Sequence, residues 1–258
     1  MKEILNSQEP QILFENEDLA IAFKPSHFLS VRSRFHNKDP QPNLIDHLTN
    51  RFQQSTFLPV HRLDFEVAGI ILLAKNKNTQ SQLSSYFEKR TLKKTYWALS
   101  LEVDLHLFEK LPFEIEKINL TKENHFEWKS KILRGKKRSY AAHNGDLALT
   151  QATHKGIQKL HSFQIHKWEL QPLTGRSHQL RFEMARHSHP IVGDELYFAP
   201  LVPSYKKGIA LVAKKLDFSN CPNYEKLGLN AEFSLDIKWE TILEQVELPD
   251  AQSIAEKA

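Results

Sequence analysis

Cysteine is almost missing. Cys221 is the one thiol in 258 residues, so neither a disulfide framework nor a cysteine-based zinc centre is available. Glycine is scarce too, and the eight present never fall in a G-x-G or phosphate-loop spacing. Nucleotide-cofactor folds built on glycine-rich turns are therefore disfavoured. No apolar run approaches the length needed to span a bilayer. The opening Met1-Lys2-Glu3-Ile4-Leu5-Asn6-Ser7-Gln8-Glu9 lacks the apolar stretch of a signal peptide. These absences lead us to expect a soluble, cytoplasmic protein without repeats or low-complexity tracts.

What is present suits a globular chain with a large core. Hydrophobic residues make up 40% and charged residues 26%, and sixteen Phe with four Trp promise an aromatic-rich interior. Net charge is +4, a weak pointer to a polyanion partner. Its distribution says more. Six of the ten residues from Lys129 to Arg138 are Lys or Arg and none is acidic, and Lys89, Arg90, Lys93 and Lys94 form a second knot. A charge run is ordinarily a solvated face, but two clusters beside candidate chemistry raise nucleic acid above that default.

Patterning gives a coarse map. Two short strands are expected over 12–23 around Asn16-Glu17-Asp18, ended by Lys24-Pro25-Ser26. A polar loop follows over 32–42, then a short helix capped by Asn43 with Leu44, Ile45, Leu48 and Phe52 at helical spacing. Asn76-Lys77-Asn78 reads as a turn before a one-sided helix over 79–90 that carries Leu83, Tyr86 and Phe87. Thr95–Leu99 reads as a strand. Residues 102–150 read as an irregular, hairpin-bearing insertion, with a further strand from Leu147 through Thr153. A strand over 163–171 leads to a turn at Pro172–Gly175, with Ser177 as N-cap of a helix over 178–187 whose Leu180 and Met184 face the core. Strands are expected at 209–213 and 233–237. One catalytic domain over 12–246 is expected, after a lead of 1–11 and before a polar tail of 247–258.

The stretch around which the chemistry is organised is His61-Arg62-Leu63-Asp64. It sits just ahead of Val67-Ala68-Gly69-Ile70-Ile71-Leu72-Leu73-Ala74, an apolar run with the length and branching of a buried strand. Such a strand is a rigid mount, and a carboxylate at its mouth serves as nucleophile, base or ion-pair partner.

Three blocks in order resemble the RluA-like RNA pseudouridine synthases. They are His61–Asp64 with Val67–Lys75, then Lys93-Lys94-Thr95-Tyr96-Trp97-Ala98, then Leu173-Thr174-Gly175-Arg176-Ser177-His178-Gln179-Leu180-Arg181 continuing to His189–Asp194. Lys24-Pro25 is a weaker fourth match. The resemblance covers roughly residues 12 to 240 and implies an α+β fold: a mixed, mostly antiparallel central sheet with flanking helices and a central cleft. It implies that Asp64 is the catalytic aspartate, that Tyr96 packs against the uracil ring, and that Arg181 pairs with Asp64. It also implies that Arg62 helps displace the target base, with His61 and Arg176 as further substrate contacts. Two departures stand out. Val67-Ala68 replaces the usual Thr-Ser, and Phe23 and His27 differ from the residues usual around Lys-Pro. The small N-terminal RNA-binding domain of many relatives is not expected here.

The implied reaction breaks the bond between uracil and ribose, turns the base and rejoins it through carbon 5. No redox change or group transfer occurs, so no cofactor and no metal are expected. The partner would be structured RNA (transfer or ribosomal), met by a monomer. Extruding a base costs a few kcal/mol, and stacking on Tyr96 would return roughly 1–3 kcal/mol. Burial of a carboxylate favours its neutral form, and a guanidinium opposes that. Lys136, Lys137 and Arg138 would hold phosphates without reading sequence. Two rivals remain open on sequence alone: a histidine-based metal hydrolase, from His178, His187 and His189, and an RNA-binding or assembly protein of the same fold that has lost turnover.

Overall fold

A computed structural model of the chain describes residues 4–33, 40–53, 56–105, 111–121, 124–206 and 208–248. The elements in chain order are β1 (Gln11–Glu15), β2 (Leu19–Lys24), α1 (Leu44–Arg51), β3 (Leu58–Pro59), β4 (Ala68–Ala74), α2 (Lys77–Glu88) and β5 (Lys93–Ser100). They continue with β6 (His125–Arg134), β7 (Ser139–Ala141), β8 (Asp146–Leu160), β9 (Phe163–Pro172) and α3 (Gln179–Arg186). The last are β10 (Ser204–Tyr205), β11 (Leu211–Asp217), β12 (Glu232–Ser234), α4 (Trp239–Leu243) and β13 (Val246–Glu247). The class is α+β, with mixed, mostly antiparallel strands and flanking helices. No helix among the described residues is long and apolar enough to cross a membrane. Two compact units are distinguishable, one of Met1–Tyr96 with Val212–Ile237 and one of Trp97–Leu211 with Lys238–Ala258.

In the first unit β2 pairs antiparallel with β1 and β4, and β4 pairs parallel with β11. β2 is buried at every position and β4 at all but its first. Strands covered on both faces carry continuous apolar runs rather than alternation, and Leu19–Phe23 and Ile70–Ala74 are such runs. Gly69 is required where β4 meets β11. Its φ is +131°, and a Cβ there would lie 2.4 Å from the Ala213 carbonyl oxygen. Asn43 and Asn76 cap α1 and α2 by accepting the amides of Asp46 and Thr79. Asn76 is therefore a cap, not part of a separate turn, and α2 begins two residues before the expected start. The asparagine competes for the first free amides and so starts the helix early.

In the second unit β9, β8, β6 and β7 follow one another as antiparallel neighbours. Of the irregular, hairpin-bearing insertion expected over 102–150, the hairpins are present, as β6 pairs antiparallel with β7 and β8, but the irregularity is corrected. β6 is ten residues long, and Trp128 and Ile132 face inward while Lys129, Lys131 and Arg134 point out. β8 runs on to Leu160, well past Thr153. Ile132 and Ala148 join Leu105, Phe113, Phe182, Ala185 and Tyr197 in one core cluster. α3 lies within this unit with Gln179 to Ala185 all buried. Its N-cap is His178, not Ser177, in a left-handed conformation without a side-chain cap bond. Gln179 does the local bracing instead. Its Oε1 accepts from Thr174 Oγ1 and the Arg176 amide, and its Nε2 donates to the Leu149 carbonyl and Thr150 Oγ1. Part of the expected 32–42 loop (34–39) and most of the expected tail (249–258) lie outside the described residues.

Candidate active site

In the first unit the loop before β4 is pinned from several sides. Leu63 is held at both backbone groups by one hydroxyl. Ser30 Oγ donates to its carbonyl at 3.0 Å and accepts its amide at 2.9 Å. The Leu72 amide donates to His61 Nε2 at 2.9 Å, and the same imidazole stacks on Phe87 with ring centres 4.6 Å apart. The His27 amide reaches the Phe65 carbonyl at 2.7 Å, and the Val67 amide closes a turn onto the Asp64 carbonyl at 3.2 Å. Asp64 thus projects half-buried from a backbone fixed on each side.

Two groups share its electrostatic surroundings. Tyr96 is half-buried on β5, and burial followed by the Asp64 charge pushes its phenol above the ordinary range. Lys24, at the end of β2, is fully buried. Burial lowers its ammonium to about 7, while Asp64 and Glu66 oppose the shift. Its Nζ donates to the carbonyls of Pro25 at 2.9 Å, Phe28 at 2.7 Å and Phe65 at 3.4 Å. A buried amine that touches this loop and a phenol on β5 therefore both feel the Asp64 charge. Such a set can exchange protons, stabilise developing charge and stack a planar ring.

His61, expected to meet substrate, is engaged inside its unit, and burial with the nearby Lys94 lowers its imidazole to about 3. A neutral ring is what acceptance of the Leu72 amide requires. Arg62 is exposed.

The other expected residues belong to the second unit. Arg181 is buried on α3, and Nε and Nη2 donate to the two oxygens of Asp194, each at 2.7 Å. Arg181 is therefore a paired, buried side chain and not a solvated one. Arg176 Nε donates to the Leu147 carbonyl at 3.1 Å, and Nη1 lies 3.4 Å from Asp146. Lys136 and Lys137 are exposed in the turn between β6 and β7, whereas Arg138 is half-buried. Among the described residues no three His, Cys, Asp or Glu side chains are grouped as metal ligands would be.

Sequence reasoning gave Lys24 little weight and did not single out Asp194, within the third block, as the partner of Arg181. For Lys24 the available signal was a lysine ending the otherwise apolar Leu19-Ala20-Ile21-Ala22-Phe23. For Asp194 it was a lone acid after the apolar Pro190-Ile191-Val192-Gly193.

Comparison with known proteins matches residues 18–186 to the family described as RNA pseudouridylate synthase. A protein of Haemophilus ducreyi named dual-specificity RNA pseudouridine synthase RluA is 29% identical over 232 residues, covering 85% of this chain and 91% of that protein. A Vibrio parahaemolyticus protein of the same name is 31% identical over 209 residues, covering 80% of this chain and 76% of its own. Among solved structures, human RNA pseudouridylate synthase domain containing 1 superposes with a TM-score of 0.62 at 20% identity, over 94% of this chain and 98% of that one. That likeness concerns the fold.

Proposed function

Because the chain belongs to the RNA pseudouridylate synthase family and is an RNA-modifying isomerase, we propose that Asp64, Tyr96 and Arg181 carry its reaction, on uridines of transfer RNA, ribosomal RNA or both. The observation that supports this reading is the grouping of Asp64 with Tyr96 and Lys24 ahead of a buried strand. Asp64 acts as nucleophile or as base at the sugar. Tyr96 offers its ring to the extruded uracil, returning part of the unstacking cost. Exposed Arg62 enters the space the base vacates. Arg181 contributes a fixed positive charge, Arg176, Lys136 and Lys137 serve the phosphate backbone, and Arg138, first expected to do the same, holds their turn against Leu196 and Phe198. Residues 12–246 supply this activity, in the cytoplasm, as a monomer and without a cofactor. The relatives' printed name, dual-specificity, is the ground for proposing two RNA classes.

The test compares the purified chain with Asp64→Asn on total RNA from cells lacking the gene, with pseudouridine mapped at nucleotide resolution. The unmutated chain is expected to restore defined sites and the variant to restore none. Unchanged activity in Asp64→Asn would remove Asp64 from the mechanism, and RNA binding with no isomerisation by the unmutated chain would favour the binding-protein rival.

A further inference from the structure

One buried tyrosine in the second unit touches both features that the proposed reaction uses there. Tyr197 is fully buried. Its ring faces the Arg181 guanidinium, with Cζ 5.5 Å from the ring centre. Its hydroxyl accepts the Ser139 amide at 2.7 Å and donates to the carbonyl of the same residue at 3.3 Å. Burial raises the phenol to about 12, so the proton needed for that second bond stays in place at neutral pH. Ser139 closes the turn that carries Lys136, Lys137 and Arg138, and its own hydroxyl donates to the Ser177 carbonyl at 2.7 Å. The attachment is doubled beside it. Arg138 Nη1 donates to the Leu196 carbonyl at 3.2 Å, and its Cζ sits 4.7 Å from the centre of the Phe198 ring. The Tyr197 amide in turn donates to the Asp194 carbonyl at 3.0 Å, and Asp194 is the residue that grips Arg181.

We propose that Tyr197 is a positioning residue with two separable ends: its ring fixes Arg181, and its hydroxyl fixes the basic turn that holds RNA phosphates. This rests on the function proposed above. A buried tyrosine needs only one partner for its hydroxyl. Here the hydroxyl clamps both backbone groups of one residue, which sets the direction of the turn as well as its place. The guanidinium carbon lies over the Tyr197 ring while Nε and Nη2 donate to Asp194, so Arg181 is held by two different side chains.

The two ends predict different kinetics. On a synthetic RNA stem-loop carrying a uridine mapped as above, Tyr197→Phe keeps the ring and loses the clamp. It is expected to raise KM about three- to tenfold while kcat stays within about twofold. Tyr197→Leu loses both ends and is expected to lower kcat at least about tenfold as well. Thermal melts of each variant accompany the kinetics. A wild-type KM in Tyr197→Phe, or a fall in kcat matching that of Tyr197→Leu, would overturn the proposal. If Tyr197→Leu does not fold, the KM-against-kcat split of Tyr197→Phe decides alone. An inactive unmutated chain would overturn the underlying function and this inference with it, and is told apart because it shows in the control.

Discussion

Arg181 and Asp194 meet as a buried pair joined by two parallel hydrogen bonds of 2.7 Å, with side-chain exposures of 2% and 1%. Planar guanidinium against planar carboxylate fixes orientation as well as distance. Removing one partner strands a buried charge, which typically costs about 3–5 kcal/mol. Asp194→Asn keeps the shape but removes the charge and one acceptor. Its unfolding free energy, measured by denaturant titration, is expected to fall by several kcal/mol, and a loss below about 1 kcal/mol would mean the pair adds little.

Lys24 gives a pH signature of opposite kind. Its folded-state value of about 7 lies below the ordinary 10.5. Between those two the unfolded chain holds the extra proton, so its contribution to stability rises with pH across that window. Lys24→Met abolishes the titration and also the three carbonyl contacts. The stability advantage of the unmutated chain over Lys24→Met is therefore expected to grow, by a few kcal/mol at most, between about pH 7 and 10. Paired denaturation curves at both ends of that range check it, and a constant difference would contradict the burial argument.

Much of this was legible in the sequence where a local pattern mirrors the fold. Leu19–Phe23 and Ile70–Ala74 read as strands because both faces are covered, and Asn43 read as a cap because capping is a three-residue affair. β6 did not, because its outward positions carry Lys129, Lys131 and Arg134, and a half-solvated strand of alternating charge looks like a loop. α3 was misplaced at its start for a related reason. With every residue from Gln179 to Ala185 buried, there is no polar face to mark the helix, and His178 caps by conformation alone. The Asp64 loop could be identified by its motif, but its anchors, Ser30 and Lys24, come from elsewhere in the chain. Arg181 was visible and Tyr197 was not, since no local periodicity records which ring a guanidinium will rest on.

The second unit also buries neutral histidines. His166 Nδ1 lies 3.2 Å from His154 Nε2, and His189 Nδ1 lies 3.5 Å from the Ser100 hydroxyl, which also accepts from Trp168 Nε1 at 2.9 Å. Burial first, then the neighbouring histidines, lowers His189 to about 3. Burial, His166 and Lys167 lower His154 to about 4. As pH falls below 6.5 the unfolded chain takes up protons that the folded chain refuses, so stability drops progressively toward those lower values. Glu183, raised to about 7 by burial, runs the other way and loses its contribution as pH rises from 4.5 to 7. The expected net result is acid-sensitive stability whose slope between about pH 6.5 and 4 becomes shallower in His189→Asn, by up to about 1.4 kcal/mol per pH unit. Equal slopes in the two proteins would show that His189 accepts a proton in the folded state.

The turn between β6 and β7 separates two kinds of cation. Lys136 and Lys137 are exposed, whereas Arg138 is spent on Leu196 and Phe198. A solvated lysine that neutralises a phosphate releases a condensed counterion, so each such contact adds about 0.7–0.9 to the slope of log affinity against log salt. Lys136→Ala with Lys137→Ala is therefore expected to lower that slope by about 1.5 and to weaken binding at low salt. Arg138→Ala is expected to leave the slope nearly unchanged and to lower the melting temperature, because its guanidinium is committed inside the protein. Filter binding of a labelled RNA across a salt series, with melts on the same samples, distinguishes the two. A large slope change in Arg138→Ala would mean that the arginine leaves Phe198 to meet phosphate when RNA arrives.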